Sequence, residues 1–258
     1  MQRRAVIAAA SFSPRVSASL PGFSPALCGP AHARGRLAAT FGGEAVELLA
    51  DRALYWPRGH TLFVADVHLG KAATLRAGGV PIPRGTTAHD LARLTRLVQA
   101  TGASKLVVLG DFLHAAAGRV DGLDVAFRAW RDAHRDLEVV LVRGNHDAKA
   151  GDPPAAWRVV VVAEPHPLPP FLACHLPQFP PSGYALCGHL HPGTWVIGRA
   201  RESLRLPCFV LGARRLLMPA FGRLTGLAMV APLPDETVVV VAHEALFRLP
   251  RSDARPAR

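Results

Sequence analysis

Four short clusters and one isolated histidine combine side chains that bind metal ions or move protons. They are Asp66-Val67-His68, Gly110-Asp111, Gly144-Asn145-His146-Asp147, His175 and Gly188-His189-Leu190-His191. Most of them directly follow an apolar run that is typical of a buried strand, such as residues 137–142 before the third cluster. Open α/β sheets bind ligands at the carboxyl ends of their strands. We therefore expect these side chains to meet at one edge of a sheet.

The clusters contain enough ligands for two cations. The candidate metal ligands are Asp66, His68, Asp111, Asn145, His175, His189 and His191. Alternate residues of a strand face the same side, so Asp66 and His68 can bind one cation together. Asp111 has two carboxylate oxygens and can bridge that cation to a second. Seven ligands with one shared give each cation four protein contacts and leave room for water and substrate, as a catalytic site requires.

This ligand set predicts hydrolytic chemistry at phosphorus. A mixture of imidazole and carboxylate favours Mn, Fe or Zn over Mg or Ca, and we expect two Mn²⁺ ions. Two ions about 3.5–4 Å apart can convert a bridging water into hydroxide at neutral pH and hold both ends of an in-line displacement. His146 follows a ligand and is a candidate to contact the phosphate or protonate the leaving oxygen. Asp147 would orient His146 or a metal ligand.

Three further residues are weaker candidates for substrate contacts. Lys71 and Arg143 lie near the ends of clusters, and His114 follows Asp111 by three positions. Solvated surface is the competing interpretation for each of them. The other histidines outside the clusters are interpreted as ordinary surface or core residues.

Charge and cysteine usage limit the class of protein. The formal net charge of +11 favours a polyanionic partner such as DNA, although a general bias toward arginine would also produce it. No run of about 18 apolar residues predicts a membrane-spanning helix. Cys28, Cys174, Cys187 and Cys208 include no Cys-x-x-Cys pair. We expect reduced thiols and a cytoplasmic location, and the sequence leaves a disulfide between two of them open.

Domain boundaries follow from composition. Residues 1–42 are rich in Ala, Ser, Pro and Arg and contain no acidic residue, which predicts a disordered basic extension or a misassigned start. Residues 43–249 are predicted to form one domain, and residues 250–258 a basic, mobile tail.

The domain is predicted to contain two sheets. Strands at 46–54, 61–65, 105–109 and 137–142 with helices at 86–100 and 121–135 predict a parallel sheet with crossover helices. The second half has short apolar runs without a convincing helix, which favours a second, mostly antiparallel sheet. These runs are 159–162, 171–174, 184–187, 195–197, 208–211, 224–230 and 237–241. The predicted fold class is α/β (α+β), a four-layer α/β/β/α sandwich of two mixed sheets flanked by helices.

The clusters, taken together and in this order, resemble the five motifs of the calcineurin-like metallophosphoesterase superfamily. The resemblance covers roughly residues 44–230 and implies a two-sheet sandwich flanked by helices. It implies that the first metal is bound by Asp66, His68, Asp111 and His191. It implies that the second metal is bound by Asp111, Asn145, His175 and His189. His146 is then the expected acid or phosphate contact.

Additional motifs resemble one bacterial branch of this superfamily, the ligase-associated DNA-damage-response endonucleases. They are Leu69-Gly70-Lys71, Gly110 to His114, Cys187 to Pro192, Leu206 to Phe209 and Met218 to Gly222. This resemblance implies a phosphodiesterase that cuts DNA and acts alongside an ATP-dependent ligase, a helicase and an exonuclease.

Two other functions remain open at this point. The five motifs fit equally well a small-molecule phosphoesterase that acts on a cyclic nucleotide, a nucleotide anhydride or a phosphomonoester. A non-enzymatic scaffold is disfavoured, because buried polar groups are costly unless they are paired or bind metal. A protein phosphatase is also disfavoured, because Asp111 is followed by Phe112-Leu113-His114 instead of the Asp-Arg-Gly that those enzymes carry after this position.

Overall fold

A computed structural model of the chain describes residues 5–6, 32–197 and 203–249. The strands in these ranges are β1 (Ala5–Val6), β2 (His32–Arg34), β3 (Arg36–Phe41), β4 (Glu44–Leu49), β5 (Ala53–Trp56), β6 (Thr61–Val64), β7 (Lys105–Leu109), β8 (Glu138–Val142), β9 (Val160–Val162), β10 (His166–Leu168), β11 (Phe171–Cys174), β12 (Tyr184–Cys187), β13 (Pro192–Ile197), β14 (Ser203–Leu211), β15 (Arg215–Leu217), β16 (Ala228–Met229), β17 (Thr237–Ala242) and β18 (Ala245–Arg248). The α-helices are α1 (Lys71–Ala77), α2 (Thr86–Thr101), α3 (Asp121–Ala133) and α4 (Asn145–Ala150). No helix in the described ranges is long and apolar enough to cross a membrane.

The first sheet has the order β3-β4-β5-β6-β7-β8-β9. Strands β3 to β6 pair antiparallel, and β6 to β9 pair parallel. Parallel neighbours need a crossover connection, and α2 and α3 provide it by packing Leu94 and Phe127 against one face of the sheet. The predicted parallel sheet with crossover helices is confirmed.

The second sheet has the order β10-β11-β12-β15-β14-β17-β18-β2, and β13 joins it through β14. Most pairs are antiparallel, but β11, β12 and β15 are parallel to one another. The parallel arrangement matters for the site, because β11 and β12 end side by side at Cys174 and Cys187. His175 and Gly188-His189 follow at that edge.

The two sheets pack face to face around a core rich in aromatic side chains. Phe63 of the first sheet contacts Phe171 of the second with ring centroids 6.3 Å apart, and Phe41 stacks on Tyr184 at 5.0 Å. The predicted α/β class with two mixed sheets is confirmed. The outer face of the second sheet buries a separate cluster of strand residues that includes Ala185, Val210 and Val240.

The predicted boundary of the extension at residue 42 is wrong for its last part. Residues 36–41 form β3, which pairs with β4 through a hairpin at Gly42-Gly43. Leu37 and Phe41 are 2% and 1% exposed, whereas Arg36 on the other face is exposed. The alternating pattern of a half-buried strand is present here, but the composition of the whole segment obscures it. Two other parts of the domain prediction lie outside the described residues. They are the predicted extension at 1–4 and 7–31 and the predicted tail at 250–258.

Other local predictions need smaller corrections. The run 46–54 is two strands joined by a turn, and helices α1 and α4 were not predicted. Strand β9 (Val160–Val162) pairs with β8 and so belongs to the first sheet. In the run 224–230, only Ala228–Met229 is a strand. A short apolar run does not indicate to which sheet its strand will belong, because that depends on the strand with which it pairs.

Candidate metal centre

The carboxyl ends of five strands meet at one edge of the sandwich and bring the predicted ligands together. In the first sheet, Asp66 follows β6, Asp111 follows β7 and Asn145 follows β8. In the second sheet, His175 follows β11 and His189 follows β12. All seven predicted ligands lie in two contiguous groups at this edge.

The first group contains Asp66, His68, Asp111 and His191, whose ligand atoms lie within 4.8 Å of one another. The Nε2 of His68 is 3.3 Å from the Nε2 of His191 and 3.8 Å from the Oδ2 of Asp111. The Nε2 of His191 is 3.6 Å from the Oδ1 of Asp66. Four potential ligand atoms therefore converge on one small volume.

The second group is built around His175. Its Nε2 lies 2.9 Å from the Oδ1 of Asn145, 3.0 Å from the Nδ1 of His189 and 3.4 Å from the Oδ1 of Asp111. Asp111 therefore directs Oδ2 to the first group and Oδ1 to the second. This is the arrangement that a bridging carboxylate needs.

The chemistry of these groups fits divalent cations. Asp66 is fully buried, and within the described ranges neither its carboxylate nor that of Asp111 has a lysine or arginine within 4.0 Å. Burial raises the pKa of Asp66 and lowers the pKa of His68 to about 2. Neutral imidazoles with free lone pairs and buried carboxylates without a cationic partner are the donors that Mn²⁺, Fe²⁺ or Zn²⁺ prefers.

The backbone around the ligands is strained. Five of them have positive φ angles, namely Asp66 (53°), His68 (51°), Asp111 (49°), His189 (69°) and His191 (48°). Such conformations cost on the order of 1–3 kcal/mol each and persist where the surrounding structure enforces them. Here the N–H of His68 donates to the carbonyl of Asp111 at 2.8 Å, and the N–H of His189 donates to the carboxylate of Asp66 at 2.9 Å. The ligand turns thus hold one another in place.

The glycine before Asp111 has a specific steric role. Gly110 has φ +76°, and a Cβ at this position would overlap the ring of His175. Only glycine allows the first sheet's turn to approach the second sheet's ligand this closely.

His146 lies at the open side of the centre. Its Nδ1 is 2.7 Å from the carbonyl oxygen of His114, so Nδ1 carries a proton and donates it. Its Nε2 faces inward, 3.9 Å from the Oδ2 of Asp111. This orientation suits the predicted contact with a phosphate or a leaving oxygen.

Asp147 contacts backbone groups and not the ring of His146. Its buried carboxylate accepts hydrogen bonds from the N–H groups of Phe112 (3.3 Å), Leu113 (2.8 Å) and Gly144 (3.0 Å). Burial raises the pKa of Asp147, and these N–H groups oppose that effect. Asp147 therefore holds the turn that follows Asp111 against the turn that precedes Asn145.

The three weaker candidates fare differently. Lys71 is half-buried beside His68 in a cleft. His114 stacks on His146 with ring centroids 5.1 Å apart, its Nδ1 lies 3.4 Å from the Nδ1 of His68, and burial lowers its pKa to about 4. Arg143 instead forms a two-pronged ion pair with Asp152 at 3.0 and 2.6 Å, so its guanidinium is already engaged.

Sequence reasoning missed Glu164. Its Oε2 accepts hydrogen bonds from the N–H groups of His175 (2.6 Å) and Leu176 (2.8 Å). It thus positions the turn that carries a predicted ligand of the second sheet. A single glutamate before a proline carries no local signal for this role.

The described cysteines agree with the predicted reduced state. Cys174, Cys187 and Cys208 are buried and free. Cys28 lies outside the described residues, and the cytoplasmic location stays a prediction.

The family to which the sequence is similar agrees with this geometry. The family model of the calcineurin-like phosphoesterases matches residues 59–191. The crystal structure of Pseudomonas putida nuclease MPE matches with 41% sequence identity and a TM-score of 0.72, covering 83% of this chain and 100% of that chain. The structure of Yfce, a phosphoesterase from E. coli, matches with 15% identity and a TM-score of 0.33, covering 71% and 88%.

No curated protein matches the chain significantly. The family model spans more than half of the sequence and contains all the ligand clusters, and the nuclease matches over its full length. The chain therefore belongs to the calcineurin-like phosphoesterase family and is a metal-dependent phosphoesterase.

Proposed function

We propose that this chain is a DNA endonuclease that hydrolyses phosphodiester bonds with two divalent metal ions, and that it works in DNA repair. The observation that carries the proposal is the pair of ligand groups joined by Asp111 with His146 facing them from the open side. A nuclease that is 41% identical and fully covered by this chain supports the polymeric substrate.

In this proposal, the first ion is held by Asp66, His68, Asp111 and His191, and the second by Asp111, Asn145, His175 and His189. When bound, two such ions supply a nucleophile from water at neutral pH and neutralise charge on the phosphate. Mn²⁺ is the proposed ion, because the donor set mixes imidazole with carboxylate and amide oxygens.

The protein's own groups have separate roles around the phosphate. His146 lies at the open side and directs Nε2 inward toward the ligand groups, while Nδ1 is fixed by the carbonyl of His114, so the ring has one orientation. A proton on Nε2 would hydrogen-bond a phosphate oxygen or be transferred to the leaving oxygen. Asp147 fixes the position of Asp111 relative to His146, because its carboxylate binds the backbone N–H groups of both turns.

A DNA substrate accounts for more of the molecule than a small nucleotide does. The net charge of +11 favours a polyanion. The motif resemblance to ligase-associated endonucleases supports the same substrate and predicts a functional association with a ligase, a helicase and an exonuclease.

The test is a substrate panel with the Mn²⁺-loaded protein. We expect turnover of bis-(p-nitrophenyl) phosphate over p-nitrophenyl phosphate, and cleavage of single- or double-stranded DNA. A His189→Ala, His191→Ala double variant, purified in the same way, controls for contaminating nucleases. Turnover confined to cyclic nucleotides, nucleotide anhydrides or monoesters would identify a small-molecule phosphoesterase instead.

A further inference from the structure

We propose that the cleft beside His68 binds a second phosphate of the DNA strand, next to the one that is cut, and that Arg223 is its principal contact. This inference rests on the proposed function and extends it to how a strand is held. Arg223 is far in sequence from the clusters of predicted metal ligands, directly follows the motif Met218 to Gly222, and was not predicted as a site residue.

The cleft borders the first ligand group at His68 and has room for little more than a water molecule, so the phosphate would lie at its mouth, where Arg223 is exposed. Its walls are the turn at His68, the start of α1, the start of α2 and the segment 222–225. Polar and charged side chains that line it are His68, Lys71, Thr86, Thr87, Asp90, Arg223 and Thr225. Because His68 belongs both to the cleft and to the first ligand group, a strand with one phosphate at that group would bring a neighbouring phosphate close to the cleft.

Two basic side chains at the cleft are free to bind an anion. Within the described ranges, neither Lys71 nor Arg223 makes a side-chain hydrogen bond or an ion pair within 4.0 Å. By contrast, Arg143 is paired with Asp152, and Arg93 is bound to Asp51 and Asp90. Unpaired guanidinium groups suit phosphate, which they can bind through two parallel hydrogen bonds.

The one acidic residue of the cleft does not cancel this charge. Asp90 is buried, and its Oδ1 lies 3.3 Å from the Nη1 of Arg93. Arg93 also pairs with Asp51, but even without it the two positive charges of Lys71 and Arg223 outnumber the one negative charge of Asp90, so the cleft is net positive. The hydroxyl-bearing residues Thr86 and Thr87 add possible donors to a phosphate oxygen.

The backbone at Arg223 is fixed to the metal-binding turn. The N–H of Phe221 donates to the carbonyl of Ala65 at 2.8 Å, and the N–H of Gly222 donates to the carbonyl of Asp66 at 3.2 Å. A Cβ on Gly222 would overlap the carbonyl oxygen of Val67, so only glycine permits this contact.

Arg93 of α2 also holds the segment 221–225, through contacts with Phe221. Its Nη1 donates to the carbonyl of Phe221 at 2.8 Å, and its guanidinium lies 4.0 Å from the centre of the Phe221 ring. The Oγ1 of Thr225 donates to the carbonyl of Gly222 at 2.6 Å and closes the turn. Arg223 is therefore an exposed side chain on a rigid base, placed at a constant distance from the ligands.

The experiment compares a substrate that has neighbouring phosphates with one that does not. Arg223→Ala should raise KM for a short single-stranded oligonucleotide roughly tenfold, the contribution of one charge-assisted hydrogen bond. The same variant should change KM for bis-(p-nitrophenyl) phosphate much less. The slope of log binding constant against log salt for the oligonucleotide should become less negative by about 0.7.

A matched control removes the same charge elsewhere. Arg96 is exposed on α2, six positions beyond Asp90 and thus roughly 9 Å along the helix from the cleft. Arg96→Ala should leave KM and the salt slope as in the unmodified protein. Thermal unfolding of both variants checks that they remain folded, and Arg223→Lys should restore part of the affinity.

Each outcome has a definite meaning. An equal loss on both substrates would show that Arg223 acts through the metal-binding turn, and behaviour like that of Arg96→Ala would show that the cleft binds no phosphate. Oligonucleotide binding, followed by fluorescence anisotropy, tests the cleft even if no cleavage occurs. Failure of the unmodified protein to cut DNA would overturn the proposed function separately.

Discussion

The two sheets contribute different chemistry to one site. The first sheet supplies both carboxylates, the amide of Asn145 and a single imidazole from His68. The second sheet supplies only imidazoles, from His175, His189 and His191. Each ligand group draws on both sheets, since His191 completes the first and His175 with His189 completes the second.

This division has a mechanical consequence. A cation bound in either group would connect the two layers of the sandwich at the edge where their strands end. The apolar interface holds the layers together over most of their area, and the ligands define their relative position at the site. The loss of bound metal and of turnover on removing one ligand should therefore depend on whether that ligand belongs to one group or to both.

Asp111→Ala is the largest expected change, because Asp111 is the one residue common to both groups. Turnover of bis-(p-nitrophenyl) phosphate should fall by at least about 10⁴-fold, as for other residues on which a whole catalytic unit depends. Metal content measured by mass spectrometry should fall for both ions. His191→Ala, from the second sheet, should lose only the first ion, and equal losses in the two variants would contradict the bridging role.

His146→Ala tests a first-sheet residue that is beside the ligands without being one. Turnover should fall roughly 10²–10⁴-fold if the ring transfers a proton to the leaving oxygen. Both ions should remain bound. His89→Ala, an exposed histidine of α2, is the control and should change neither quantity. Loss of metal from the His146 variant would mean that its role is structural.

Asp147→Ala should weaken the first sheet's side of the site. It leaves three buried N–H groups without an acceptor, so we expect the free energy of unfolding to fall by about 3 kcal/mol. Metal affinity should fall about 10–100-fold, as for other residues that orient ligands. Denaturant unfolding and metal titration measure the two effects. Asp147→Asn keeps one acceptor oxygen and should lose less of both.

Metal binding itself should stabilise the sandwich. For one site at 100 times its dissociation constant, Mn²⁺ should raise the free energy of unfolding by about 2.7 kcal/mol. The His189→Ala, His191→Ala double variant has an intact first sheet and should lose most of this gain. If it kept the full gain, the first sheet alone would bind the ions and the layers would not be coupled.

The sequence predicted well which side chains meet at the site, because their signal is local. Each lies within four residues of a strand end, and Gly110 and Gly188 are next to ligands, where a side chain would collide with the opposite sheet. Strands β6, β7 and β8 were predicted for a similar reason, since buried parallel strands are short, continuous apolar runs.

The parts that were missed depend on contacts between distant segments. Arg143 looks available in sequence, but packing brings Asp152 within 2.6 Å of it. Arg223 becomes a site residue only because the segment around Gly222 pairs with the turn at Asp66, far away in the chain. Strand β3 was missed because its three buried residues, Leu37, Ala39 and Phe41, lie in a segment whose average composition resembles a disordered tail.

The smallest expected effect is on the second sheet's counterpart of Asp147. Glu164 accepts two N–H groups at His175 and Leu176, but it is only half-buried, so water can replace it when it is removed. Glu164→Ala should therefore lower the free energy of unfolding by only about 1 kcal/mol. Its effect on metal affinity should be confined to the ion bound by His175, because Glu164 touches no part of the first group. If Glu164→Ala lowered the free energy of unfolding as much as Asp147→Ala does, the turn at His175 would depend on Glu164 as strictly as the first sheet's turns depend on Asp147.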